Sequence, residues 1–66
     1  MNMPLLRAKM VERGFTVETL AKELGVYRST LYRKINRPET FSIEMVKKIK
    51  LILGLTDHEA SIIFLP

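Results

Sequence analysis

The chain has 66 residues, 47% of them apolar, with eleven Lys and Arg against seven Asp and Glu for a net charge of +4. That apolar share excludes a disordered tail, no apolar run approaches the roughly 20 residues of a membrane span, and Met1 to Arg7 carry no signal-peptide core. With no cysteine there is no disulfide or thiolate metal site, so a core that supplies roughly 3–5 kcal/mol must rest on capped helices, tight packing or a dimer.

The first helix is expected from about Pro4 to Arg13. Proline suits a first helical turn, where a missing N–H costs nothing, and Gly14 can take the positive φ of a helix end. Leu6 and Met10 share one face. A second helix runs from Val17 to Leu24. Thr16 is its N-cap, Glu18 complements the helix dipole, and Val17, Leu20, Ala21 and Leu24 form one apolar stripe. Gly25 ends it.

The third helix is expected over Arg28 to Asn36, with Leu31 and Ile35 inward and Ser29 and Arg33 on the opposite face. Pro38 stops it and biases Arg37 to an extended shape. The fourth runs from Ile43 to Leu53. Ser42 caps it, and Phe41 and Val46 are placed for a hydrophobic staple. Met45, Val46, Ile49, Ile52 and Leu53 face inward; Leu51 falls off that stripe. Gly54 closes the helix. The fifth runs from Asp57 to Phe64 and opens on a capping box, Thr56 with Glu59. Ala60, Ile63 and Phe64 point inward. The remaining apolar end, Ile62 to Pro66, suits a twin subunit or another protein, with Ile62, Phe64 and Leu65 as the candidate contacts. No repeat or linker divides the chain, so residues 1–66 read as a single all-α domain.

The charge is concentrated. Between Glu23 and Glu39 there is no acid, yet Arg28, Arg33, Lys34 and Arg37 all fall there; elsewhere seven basic residues face seven acidic ones. A solvated basic face is the plain reading. An anionic partner, most often nucleic acid, is the functional one. The helices on either side of Gly25-Val26-Tyr27 decide between them. Two short helices joined by a three-residue turn containing Gly form a helix-turn-helix unit. Each apolar position then has a task. Ala21 is small where the third helix crosses, Val26 and Leu31 fill the angle between the helices, and Ile35 anchors the far end.

At these residues, Leu20-Ala21-x-x-Leu24-Gly25-Val26 followed by Ser29-Thr30-Leu31-x-Arg33-Lys34-Ile35-Asn36, the chain resembles the Cro and lambda-repressor-type helix-turn-helix family, also called XRE-like. The resemblance covers nearly the whole chain, and the Ile52-Leu53-Gly54-Leu55-Thr56 ending is similar to small prophage members. It implies a five-helix lambda-repressor-like fold and a homodimer on a double-stranded DNA operator. It also implies a cytoplasmic transcriptional regulator, a Cro-like repressor of phage type. By the same resemblance Arg28, Ser29 and Arg33 occupy base-reading positions. Tyr32 beside them is placed for a thymine methyl or a sugar. Thr16 and the first N–H groups of the second helix, starting at Val17, are placed for a phosphate. Thr30, Asn36, Arg37, Thr40 and the Ser42 end of the fourth helix match further backbone contacts.

Two departures stand out. Tyr27 replaces the usual Ser or Thr cap of the third helix, at a cost of about 1 kcal/mol; either that end frays or the ring contacts DNA. Met10 and Ile35 replace a buried Arg–Glu pair found in some relatives, an exchange that is often neutral or stabilising.

Other chemistry finds no support. His58, the single histidine, sits inside a capping box, and no constellation of acid, base and nucleophile exists. The expectation is no enzyme, no metal, no cofactor and no membrane. The rival reading is a protein-interaction module on the same fold, such as a phage antirepressor, a modulator or an antitoxin.

Overall fold

A computed structural model describes residues 1–65; Pro66, the last residue of the expected apolar end, lies outside them. Among the described residues the chain is all-helical: α1 (Met3–Glu12), α2 (Val17–Leu24), α3 (Arg28–Asn36), a 3-10 turn (Pro38–Thr40), α4 (Ile43–Leu53) and α5 (Asp57–Phe64). α2 packs on α3 and α4, and α5 packs on α1 and α4. Every helix contributes at least one fully buried aliphatic side chain: Leu6, Leu20, Leu31, Ile49, Leu53 and Ile63. Met10 and Ile35 are buried in the same cluster, so the position of a charged pair in some relatives is apolar here.

Four helices begin and end at the residues the sequence indicates. Only α1 is displaced, by one residue at each end. Its cap is Asn2, whose side-chain oxygen accepts the Leu5 N–H at 3.0 Å, which moves Pro4 to the second helical position. The Thr16 cap of α2 is reinforced by Thr19. The Thr19 N–H donates to the Thr16 hydroxyl at 3.1 Å, and the Thr16 N–H donates to the Thr19 hydroxyl at 2.8 Å. The Thr56–Glu59 box forms as expected, with both reciprocal bonds in place.

α2 stops because Gly25 enters the left-handed region at φ 73°. The Val26 N–H then reaches back to Ala21 O at 3.0 Å and the Gly25 N–H to Lys22 O at 3.1 Å. This is a Schellman ending, and it satisfies carbonyls that the helix would leave without partners. α1 and α4 end the same way, through Phe15 and Leu55. In each case the residue after the glycine is apolar and turns onto the core: Phe15 and Val26 are partly buried and Leu55 is buried. Each glycine thus converts a helix end into an additional core contact.

Phe41 does not stop at its staple position. Its ring meets Phe64 edge-on, with centroids 5.4 Å apart and planes at 74°. Phe64 is therefore a core residue, 8% exposed, and not a surface contact for a second subunit. Ile62 and Leu65 do remain exposed. Two ion pairs fasten α5 from outside, Lys9 to Glu59 across α1 and Lys50 to Asp57 across α4. The Lys9 ammonium and the Thr56 backbone N–H hold the Glu59 carboxyl at about 2, below its usual 4.5. The Lys50 ammonium likewise lowers Asp57, and Glu59 and Glu12 raise Lys9. The Asn2 N–H donates to Ile63 O at 2.8 Å, tying the start of α1 to the end of α5.

Candidate nucleic-acid interface

α2, the Gly25 turn and α3 present one continuous polar surface. Leu31 and Ile35 are buried, which turns the other face of α3 outward. On that face Arg28, Ser29, Tyr32 and Arg33 are all exposed, and Tyr27 just before it is 82% exposed. The five residues placed as base readers are therefore all accessible, from the residue before α3 to the start of its last turn.

Tyr27 makes no side-chain cap, yet α3 still begins at Arg28. The Leu31 N–H closes the first turn onto Tyr27 O at 3.1 Å. That bond is the ordinary first bond of the helix and does not replace a side-chain cap. The opening N–H groups of the helix stay uncapped and free for an acceptor from outside.

The phosphate candidates divide by what their hydrogens are doing. A hydroxyl has one hydrogen to give and two lone pairs. Thr16 and Ser42 use a lone pair to accept the N–H of Thr19 and Met45, and Thr30 accepts an Arg33 guanidinium hydrogen at 3.4 Å. Ser42 and Thr30 keep a hydroxyl hydrogen suited to an anionic oxygen, whereas the Thr16 hydroxyl also meets the Thr19 hydroxyl at 3.2 Å, so its hydrogen is shared with that neighbour. Val17 has a first-turn backbone N–H, which helix geometry leaves without a partner. Asn36 and Arg37 are exposed.

Thr40 differs. Its hydroxyl donates to Arg37 O at 2.7 Å and its N–H donates to the same carbonyl at 2.9 Å. Both of its donors are occupied. Its own carbonyl accepts the Lys34 ammonium at 2.9 Å. Thr40 therefore shapes the 3-10 turn against α3 and offers no hydrogen to a phosphate. The turn and the helix enclose a shallow groove lined by Thr30, Arg33, Lys34, Asn36, Arg37 and Thr40. Three of those six side chains are cationic. Sequence reasoning left Lys34 out of the candidate site because its bond spans six residues through an unrecognised 3-10 turn.

Among the described residues one acid pairs with a cation of this surface. Glu18, in the first turn of α2, approaches Arg28, in the first turn of α3, with Oε2 and Nη1 3.7 Å apart. The pair spans the N-terminal turns of the two helices.

Two short helices at a tight Gly turn, with an exposed cationic second helix, define the class: this is a helix-turn-helix DNA-binding domain. The pattern of the Cro/C1-type HTH DNA-binding domain matches residues 6–57, and the chain belongs to that family. It is also similar to the SPbeta prophage-derived uncharacterized HTH-type transcriptional regulator YopO of Bacillus subtilis strain 168. The two are 32% identical over 54 residues, which is 82% of this chain and 77% of that protein. No solved structure matches the chain at a significant level. Among the described residues no helix is long and apolar enough to cross a membrane.

Proposed function

We propose that the protein is a sequence-specific transcriptional regulator of the cytoplasm, a Cro-like repressor of phage type, whose α3 enters the major groove of double-stranded DNA. The observation that carries this reading is the exposure, along and just before α3, of Tyr27, Arg28, Ser29, Tyr32 and Arg33, four of them on α3 itself. Arg28 and Arg33 carry the guanidinium that bonds O6 and N7 of guanine together. Thr16, Val17, Thr30, Asn36, Arg37 and Ser42 hold the backbone on either side and set the register. Residues 1–66 act as one DNA-binding domain, with no cofactor. Two copies join through Ile62 and Leu65 and bind half-sites roughly 34 Å apart, and the bound dimer blocks RNA polymerase.

The test is selection of bound duplexes from a random pool, followed by titration of the winners at several salt concentrations. The reading requires a short two-fold-related motif bound far more tightly than random DNA. Weak binding to every sequence, falling steeply with salt, would reduce the site to phosphate attraction.

One observation favours a second reading, a protein-interaction module. Leu51 is 82% exposed, beside a shallow groove whose lining includes Lys47, Lys50 and Leu55. A flat selection, together with a protein partner lost on Leu51→Asp, would favour it.

A further inference from the structure

We propose that Glu18 is a specificity-determining residue: it holds Arg28 away from the DNA backbone and so weakens binding to random DNA more than binding to the preferred operator. This rests on the reading of α3 as the base-reading helix.

Among the described residues, Arg28 is the one cation of the acid-free segment that pairs with a carboxylate. Its neighbours have neutral partners. Arg33 bonds the Thr30 hydroxyl, and Lys34 bonds the Thr40 carbonyl. The Glu18–Arg28 pair does little for the fold. Both side chains are more than half exposed, and exposed pairs of this kind contribute little to stability. Glu18 is also poorly placed for DNA affinity. It lies two residues from Thr16, at the helix end offered to a phosphate, where a bare carboxylate repels the backbone. The helix dipole favours an acid in this first turn, as it does Glu44 in α4, but among the described residues only Glu18 of the two meets an arginine.

At 3.7 Å the contact is an ion pair and too long for a hydrogen bond. The guanidinium is drawn toward α2 while its five N–H donors stay available. Guanine offers two acceptors on one edge in the major groove, which a guanidinium held at its far side can meet without leaving the carboxylate. A phosphate makes a different demand. A phosphate oxygen competes with the Glu18 carboxylate for the same guanidinium, and a carboxylate that loses Arg28 is left unpaired near the DNA backbone. Operator binding keeps the pair; on random DNA a phosphate contact by Arg28 would have to break it, and Glu18 opposes that contact. A neutralised pair also releases no counterion, so Arg28 adds nothing to the salt dependence while Glu18 holds it.

The experiment is a mutant cycle of Glu18→Gln, Arg28→Ala and the double variant. Affinity is measured by fluorescence anisotropy for the selected duplex and for a scrambled one, across salt concentrations. Thermal melting of each variant, expected to match the wild type for an exposed pair, shows that it is folded. In the otherwise native chain, Glu18→Gln should tighten binding to the scrambled duplex about fivefold, the scale of one ion pair in water. It should also steepen the salt slope on that duplex by about 1. Binding to the selected duplex should hardly change, so discrimination falls. In the Arg28→Ala background, Glu18→Gln should move both duplexes equally. If Glu18→Gln tightens both duplexes equally in the native background, Glu18 is only a repulsive charge and the proposal is overturned. A wild type that fails to distinguish the two duplexes overturns the DNA-reading function, and this inference with it.

Discussion

Gly25→Ala isolates the helix-turn-helix bend from every other contribution. At φ 73° an added Cβ would meet no atom within 4 Å, so the substitution creates no clash. What remains is the backbone. An L-residue in the left-handed region costs roughly 1–2 kcal/mol. Alanine also narrows the unfolded ensemble, which offsets roughly 0.4–1 kcal/mol of that cost. The expected net loss is about 1 kcal/mol. In a domain of this size each 1 kcal/mol lowers the melting midpoint by roughly 4–8 °C. Far-UV circular dichroism during urea and thermal unfolding measures both. Gly25→Asn gives the control, because asparagine visits the left-handed region more readily and should lose less. A loss above roughly 3 kcal/mol would mean that packing, not conformation, reserves the position for glycine. Equal losses for Ala and Asn would refute the conformational argument outright.

The other perturbations reach different parts of the molecule. Leu31→Ala removes a fully buried side chain beneath the recognition surface and should cost roughly 2–5 kcal/mol, read from the urea midpoint. Arg33→Ala should cost roughly 1–3 kcal/mol of operator affinity and relax the preference at one base pair, both read from duplex titrations; a uniform loss on all sequences would make it a phosphate contact. Glu59 has a lowered folded-state value, so its contribution is complete above pH 4.5 and disappears as the pH falls toward about 2. Unfolding measured across that window should show the decline, and Glu59→Gln should flatten it.

The helix boundaries were legible because each is written in a short local code. Thr16, Ser42 and Thr56 offer a side-chain acceptor to the third residue of their helices, and all three form that bond. Asn2 carries the same chemistry but precedes Pro4, and proline at a helix start drew the expected boundary one residue late. The 3-10 turn escaped for the opposite reason: Pro38 stops an α-helix, yet its fixed φ still permits a tighter turn. Leu55 was missed as a core residue because it lies in a loop, and only the Schellman geometry after Gly54 turns it inward. Phe64 was assigned both to the core and to a surface, since one apolar residue at a helix end carries no sign of which neighbour it meets. Its partner Phe41 is 23 positions away in the chain, beyond the reach of any local pattern. In the candidate site, composition and spacing pointed to Arg28 and Arg33. The ion pair that reaches Arg28 from Glu18 depends on how α2 crosses α3, which no linear pattern records.

The bond between the Asn2 N–H and Ile63 O brings the start of α1 beside the last turn of α5. A short bridge between them would close the backbone into a ring with little displacement of the native helices. Ring closure limits the freedom of the unfolded chain, the same means by which a disulfide stabilises, in a protein that has no cysteine with which to form one. Such a cyclic form would also lack free ends for exopeptidases, while α3 and the Gly25 turn, built from the middle of the chain, kept their exposed surface.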